Sequence, residues 1–128
     1  MSPRHIPATV HELNRCALLA ALPADRLRAL AARMAREEVA AGQAPVVEGD
    51  PGDRFYVVLS GMFSVSQQSM GARRLLRPGD YFGEVALAMD VPRTASVRAL
   101  TPAVVASCDR VTFDELVRPL FADEEEGT

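Results

Sequence analysis

Residues 55–80 read FYVVLSGMFSVSQQSMGARRLLRPGD. Phe55 to Leu59 is an unbroken apolar run, which suits a strand buried on both faces, and Ser60-Gly61 turns it. Phe63 and Val65 alternate with Ser64 and Ser66, the period-two signature of a half-exposed strand. Gln68-Ser69-Met70-Gly71 predicts a hairpin tip, Ala72 to Arg77 the returning strand, and Pro78-Gly79-Asp80 another turn. Many short strands closed by Gly and Pro turns predict a mainly β protein, an antiparallel sandwich, barrel or roll. The long βα alternation of a Rossmann-type sheet is absent.

Upstream, Ala44 to Glu48 reads as one more strand, followed by the dense turn signal Gly49-Asp50-Pro51-Gly52-Asp53. Downstream, Ser96 to Leu100 and Ala103 to Cys108 add two. Helices are expected at both ends. Thr9 and Glu12 have the spacing of a capping box and open a helix from about Val10 to Ala20. Leu22-Pro23 interrupts it, and Pro23 suits the first turn of the next. That second helix, about Ala24 to Arg36, places Leu27, Leu30, Ala31 and Met34 on one face. Arg26, Arg28, Arg33 and Arg36 lie opposite and read as a solvated face, because Glu37, Glu38 and the net charge of -3 blunt their field. Thr112-Phe113-Asp114-Glu115 is a second capping box, opening a helix through Leu116 and Val117 that Pro119 ends or kinks. Asp123 to Glu126 belong to an acidic, solvated tail.

Composition narrows the function. With 128 residues, 48% hydrophobic and 24% charged, the chain suits one globular domain. An acidic balance disfavours non-specific nucleic-acid binding, which needs Lys and Arg against phosphates. No apolar run reaches the ~20 residues that span a bilayer, and the N-terminus lacks the pattern of a secretory signal. A cytoplasmic protein without membrane insertion is expected. Cys16 and Cys108 form no CxxC pair and read as buried, inert thiols.

Chemistry concentrates in Tyr81 to Ala99, YFGEVALAMDVPRTASVRA. Gly83 lets a backbone approach a ligand closely. A short helix from Glu84 to Ala88 would turn its first unpaired N–H groups outward as an anion cradle. Arg93 can make paired, charge-assisted bonds to the same anion, with Pro92 restricting the chain before it. Glu84, acceptor-only when ionised, suits hydroxyls. Together these describe a cyclic sugar phosphate. A structural salt bridge between Glu84 and Arg93 explains the same two residues equally well.

Residues 82–97, FGEVALAMDVPRTASV, closely resemble the phosphate-binding cassette of cyclic nucleotide-binding domains. EGDPGDRFYVVLSG, residues 48–61, is similar to that family's first roll segment, RPGDYFGE to its lead into the cassette, and LLAALPADRLRALA to its N-terminal helices. The resemblance covers roughly Leu18 to Val117 and implies an antiparallel, jelly-roll-like β-roll with N-terminal helices and a short C-terminal helix. The implied layout is a single domain over 1–128. It has helices over about 9–37, a roll over 44–110 with the cassette at 82–97, a C-terminal helix over 112–121 and the acidic tail at 122–128.

The resemblance also assigns the ligand-binding set: Phe82, Gly83, Glu84, Val85, Ala86, Arg93, Thr94 and Ala95. Arg93 would pair with the exocyclic phosphate oxygens and Glu84 would accept from the ribose 2′-hydroxyl. Backbone N–H groups near Gly83, Val85, Ala86 and Ala95 would complete the cradle. Thr94 would meet the phosphate or a purine edge, which leaves cAMP and cGMP both open, with cAMP preferred. Family members usually continue into a longer helix that covers the base. Pro119 and the acidic tail leave no room for one, so either another chain supplies the lid or binding is about a hundredfold weaker, from ~100 Å² of uncovered purine.

The expected function is a regulatory module that senses cAMP or cGMP and shifts its flanking helices. No cofactor beyond that ligand and no catalytic or metal-binding residues are implied. The output would pass to an effector domain or partner protein: a transporter, a channel or a signalling enzyme. The alternative is a structural or interaction module that keeps the roll without useful nucleotide binding. A metal enzyme of cupin type is disfavoured, since the only histidines, His5 and His11, lie outside the roll.

Overall fold

In the computed structural model, which describes residues 5–69 and 71–121, short helices precede an antiparallel β-roll and a helical segment follows it. Three helices open the chain, α1 (Val10–Leu13), α2 (Ala17–Ala20) and α3 (Ala24–Arg33). The strands are β1 (Ala35–Val39), β2 (Arg54–Ser60), β3 (Phe63–Gln67), β4 (Gly71–Leu76), β5 (Tyr81–Phe82), β6 (Ser96–Ala99) and β7 (Ala103–Asp109). Between β5 and β6 lies α4 (Glu84–Met89), and α5 (Arg110–Thr112) runs into a π-helical turn, Phe113–Val117. One sheet has the order β1-β7-β2-β5, the other β4-β3-β6, and every recorded pairing is antiparallel.

The apolar run of β2 is buried on both sides, as its composition predicts. Phe55, Val57 and Leu59 face the helices, joining Leu13, Leu19, Leu27, Leu30, Met34 and Phe113. Tyr56 and Val58 face the second sheet, joining Phe63, Leu76, Phe82, Val97 and Val105. Two cores therefore share one strand. Both cysteines are buried as free thiols, and burial pushes Cys108 up to about 12, which makes it unreactive.

The structure corrects several boundaries. The first helix is not continuous to Ala20. Cys16 N–H donates to the Leu13 carbonyl, an i to i−3 bond, and Leu13, Cys16 and Leu19 are all fully buried. A burial period of three needs the tighter winding of a 3₁₀-like turn. The second helix ends at Arg33, not Arg36, so the helical stretch is shorter than 9–37. Met34 is extended and fully buried, and Ala35–Val39 pairs with β7. Nothing in AREEV signals a strand; the partner imposes it. Residues 6–8 cover the other edge of β1, with Arg36 N–H donating to the Ile6 carbonyl at 2.7 Å.

Ala44 to Glu48 is not a strand but an isolated bridge between Val46 and Val97. Pro45 has no N–H, and the Glu48 amide donates to Ser96 Oγ instead of a ladder. The expected arginine face is not simply solvated: on α3, Arg33 pairs with Glu115 at 2.7 Å and Arg26 donates to the Glu115 carbonyl, while Arg36, which lies in β1, pairs with Glu12 at 3.2 Å.

The C-terminal helix starts before Thr112. Asp109 is its cap, accepting the Thr112 N–H at 2.9 Å, because β7 runs straight into the helix. Nor does Pro119 end it, since helical structure continues to Phe121. The Glu115 carbonyl would ordinarily accept from the amide of residue 119, which proline lacks. Arg26 Nη2 supplies that bond at 3.0 Å, and the π-turn, closed by Arg118 N–H donating to the Phe113 carbonyl, absorbs the register change. The acidic tail at 122–128 and Met70 of the hairpin tip lie outside the described residues.

Arg26→Ala should therefore lower the unfolding free energy by about 1 kcal/mol in urea denaturation. The loss should fall by more than half in a Pro119→Ala background, where a backbone amide is restored. Equal losses in both backgrounds would break the link between the two residues.

Candidate functional site

The site forms where β5 stops being a strand. Tyr56 pairs with Phe82 and Val57 with Tyr81, so the next partners of this ladder would be Phe55 with Gly83 and Arg54 with Glu84. Instead Gly83 turns left-handed (φ 91°) and caps α4. The Arg54 carbonyl is left without a ladder partner, and the Gly83 carbonyl, which opens the α4 hydrogen-bond series, has a second lone pair to offer. Arg93 serves both, donating from Nη1 to Gly83 O and from Nη2 to Arg54 O, each at 2.9 Å. Its guanidinium takes over where the ladder ends.

Those two bonds also orient the group. Arg93 is only 7% exposed, and burial pulls its pKa down while the Tyr56 phenol and Asp53 oppose the shift. Tyr56 is itself locked by stacking on Phe82, with ring centroids 4.8 Å apart. Among the described residues, two of the five N–H donors of the guanidinium are used. Gly83 admits no side chain: beyond its φ, a Cβ would come within 2.8 Å of the Arg54 carbonyl oxygen.

Arg93 and Glu84 face one cleft of about 110 Å³. All eight residues of the expected set, Phe82, Gly83, Glu84, Val85, Ala86, Arg93, Thr94 and Ala95, line it. Arg93 and Glu84 form no ion pair among the described residues, so the salt-bridge explanation does not hold. Burial raises the Glu84 carboxyl pKa, partly offset by its own backbone N–H and by Arg74 and Arg93. Thr94 is exposed, and its carbonyl accepts from Gln67 Nε2 at 2.9 Å, which ties the cassette to β3.

Sequence reasoning missed four lining residues: Val46, Val65, Val97 and Arg74. The alternation around Val65 and the strand around Val97 could have pointed to two of them. Arg74 had no such signal, because only the pairing of β4 with β3 brings it near Glu84. A second cavity of about 340 Å³ shares Arg74 and Glu84 with the first and is otherwise lined by α2 and the β4–β5 turn, Asp80 and Tyr81 included.

The raised pKa of Glu84 has a sign that can be checked. A carboxyl with a folded pKa above its unfolded value costs stability when ionised, so stability should rise as pH falls through the folded pKa towards 4.5. Glu84→Gln should raise the melting temperature at pH 7, with the gain vanishing below about pH 4. An unchanged melting temperature at pH 7 would mean that the carboxylate is not paying for its burial.

Comparison with known proteins identifies the family. A family model described as the cyclic nucleotide-binding domain matches residues 36–119. The chain is 42% identical over 96 residues to a cAMP-dependent protein kinase regulatory subunit of Eremothecium gossypii, a match covering 75% of this chain and 21% of the relative. It is 35% identical over 117 residues to a cGMP-dependent protein kinase of Caenorhabditis briggsae, covering 87% and 16%. The regulatory domain of Toxoplasma gondii PKA, solved with cAMP, superposes with a TM-score of 0.83 at 28% identity, covering 93% of this chain and 49% of that one. The chain spans about a fifth of the length of the curated relatives it matches. With the β-roll, the cassette helix and the matched model in agreement, the chain belongs to the cyclic nucleotide-binding domain family, regulatory modules that sense cyclic nucleotides.

Proposed function

We propose that this module binds cAMP, holding the phosphate on Arg93 and the ribose on Glu84. The observation that carries the reading is the guanidinium itself, fixed by two carbonyls and lining the cleft with N–H groups beyond those two bonds. Amides around Gly83, Val85, Ala86 and Ala95 complete the phosphate cradle. Glu84 accepts from the 2′-hydroxyl, and the base extends towards the neighbouring cavity that Glu84 also lines. The module is non-catalytic and needs no cofactor beyond the nucleotide. Its free thiols fit a cytoplasmic setting, and no helix among the described residues is long and apolar enough to cross a membrane.

One observation favours cGMP as a second reading. Arg74 lines the cleft beside Glu84. A guanidinium pairs in bidentate fashion with O6 and N7 of guanine, whereas adenine offers a donor at N6.

Signalling follows as a population shift. The C-terminal carbonyls of α4 are held by the helix that follows the roll: Arg118 donates to Leu87 O at 2.8 Å and to Ala88 O at 3.1 Å, with Asp114 bracing it at 2.9 Å. Movement of the cassette helix therefore pulls directly on that segment. The names of the relatives support a protein kinase as the effector more than the transporters or channels also expected from the sequence.

Calorimetric titration with cAMP and cGMP tests the reading. Arg93→Ala should cost about 2–5 kcal/mol of binding, roughly 30-fold or more. Glu84→Ala should narrow the discrimination between the nucleotide and its 2′-deoxy analogue. Arg74→Ala should weaken cGMP selectively if guanine is the base read, and leave cAMP unchanged. No heat with either nucleotide at millimolar concentration would favour the structural-module alternative.

A further inference from the structure

The loop at residues 49–53 lends no side chain to the cleft, yet it holds Arg93 in three ways. Arg93 N–H donates to the Asp50 carbonyl at 2.8 Å, and the Gly49 N–H donates to the Arg93 carbonyl at 2.8 Å. These two rungs fix the main chain of Arg93. The third contact is a space. A Cβ built on Gly52 would lie 2.6 Å from the Ala86 Cβ, 2.7 Å from Arg93 Nε and 2.8 Å from Arg93 Cζ. The guanidinium and the Ala86 methyl of α4 occupy the volume that a side chain at position 52 would take.

We propose that Gly52 is a positioning residue for the arginine that receives the phosphate: its missing side chain is the seat of the Arg93 guanidinium against α4. The contrast with Gly49 isolates the cause. Gly49 has a left-handed φ of 89° and open space around its Cβ direction, so it is a glycine for its backbone. Gly52 lies outside that region of φ, so alanine fits its backbone, and only the packed neighbours demand glycine. An added methyl must push Nε and Cζ away by on the order of 0.7 Å to reach ordinary contact. The bonds from Arg93 to Gly83 and Arg54 at 2.9 Å then stretch beyond hydrogen-bonding range. The guanidinium loses the orientation that presents its remaining donors to an anion.

The inference rests on the proposed reading of Arg93, and the test separates the two. In the full chain, Gly52→Ala and Arg93→Ala are titrated with cAMP and cGMP by calorimetry, and with adenosine and guanosine by NMR. Gly52→Ala should weaken the cyclic nucleotides about 10- to 100-fold, the loss of one or two charge-assisted bonds. It should leave the nucleosides, which lack the phosphate, within about twofold of the unsubstituted protein. Equal weakening of nucleotide and nucleoside would make the role merely structural and overturn the proposal. So would unchanged nucleotide affinity in Gly52→Ala while Arg93→Ala loses binding. If Arg93→Ala binds as tightly as the unsubstituted protein, the functional reading itself fails first. Should Gly52→Ala not fold, Gly52→Ala with Ala86→Gly removes the nearest helix contact and keeps the methyl against Arg93. The same split is expected there, and full recovery of nucleotide affinity would assign the effect to α4 and overturn the proposal.

Discussion

The site depends on a hydrogen-bonding obligation. A two-residue β5 ends the β2–β5 ladder after Tyr56 and Phe82, and the Arg54 carbonyl, with the second lone pair of the Gly83 carbonyl, is left on a half-buried surface. An unmet backbone acceptor costs about 1–3 kcal/mol, so some donor must come. That donor is a guanidinium, which meets both carbonyls and still has N–H groups to spare. The same two bonds thus close a sheet and orient a guanidinium at the cleft. Everything nearby conforms to them: two glycines leave room for Arg93, Tyr56 is stacked in place, and the 49–53 loop clasps the main chain of Arg93.

Around that point the fold is economical in its strands. β2 carries the helical core on one face and the inter-sheet core on the other. A shift of either layer is felt by the strand whose carbonyl orients Arg93. The C-terminal helix adds a second link, because Arg118 grips the end of α4 while Arg26 and Arg33 tie the same helix to α3. The cassette is therefore joined by side chains to both helical flanks, the arrangement a sensor needs if binding is to move them.

Much of this was legible in the chain. The double-sided burial of β2 follows from five consecutive apolar residues, and the hairpin and its turns follow from Gly, Pro and alternation. The eight cleft residues were named from a motif whose spacing the fold preserves. Other elements were not legible, for identifiable reasons. AREEV is a strand only because β7 and residues 6–8 flank it. Pro119 reads as a stop because its compensating donor, Arg26, lies 93 positions away. The break after Leu13 depends on which side chains are buried, and local propensity does not register that.

The sequence by itself determined the class of fold, the place of the cleft and most of the residue types that line it, because these are set by local pattern: burial period, turn chemistry and a compact motif. Tertiary structure alone decided that Glu84 and Arg93 stay unpaired, that Arg74 joins the cleft, and that Gly52 must be a glycine. Each of these depends on distances between segments far apart in the chain, and on carbonyls left without partners where two elements meet.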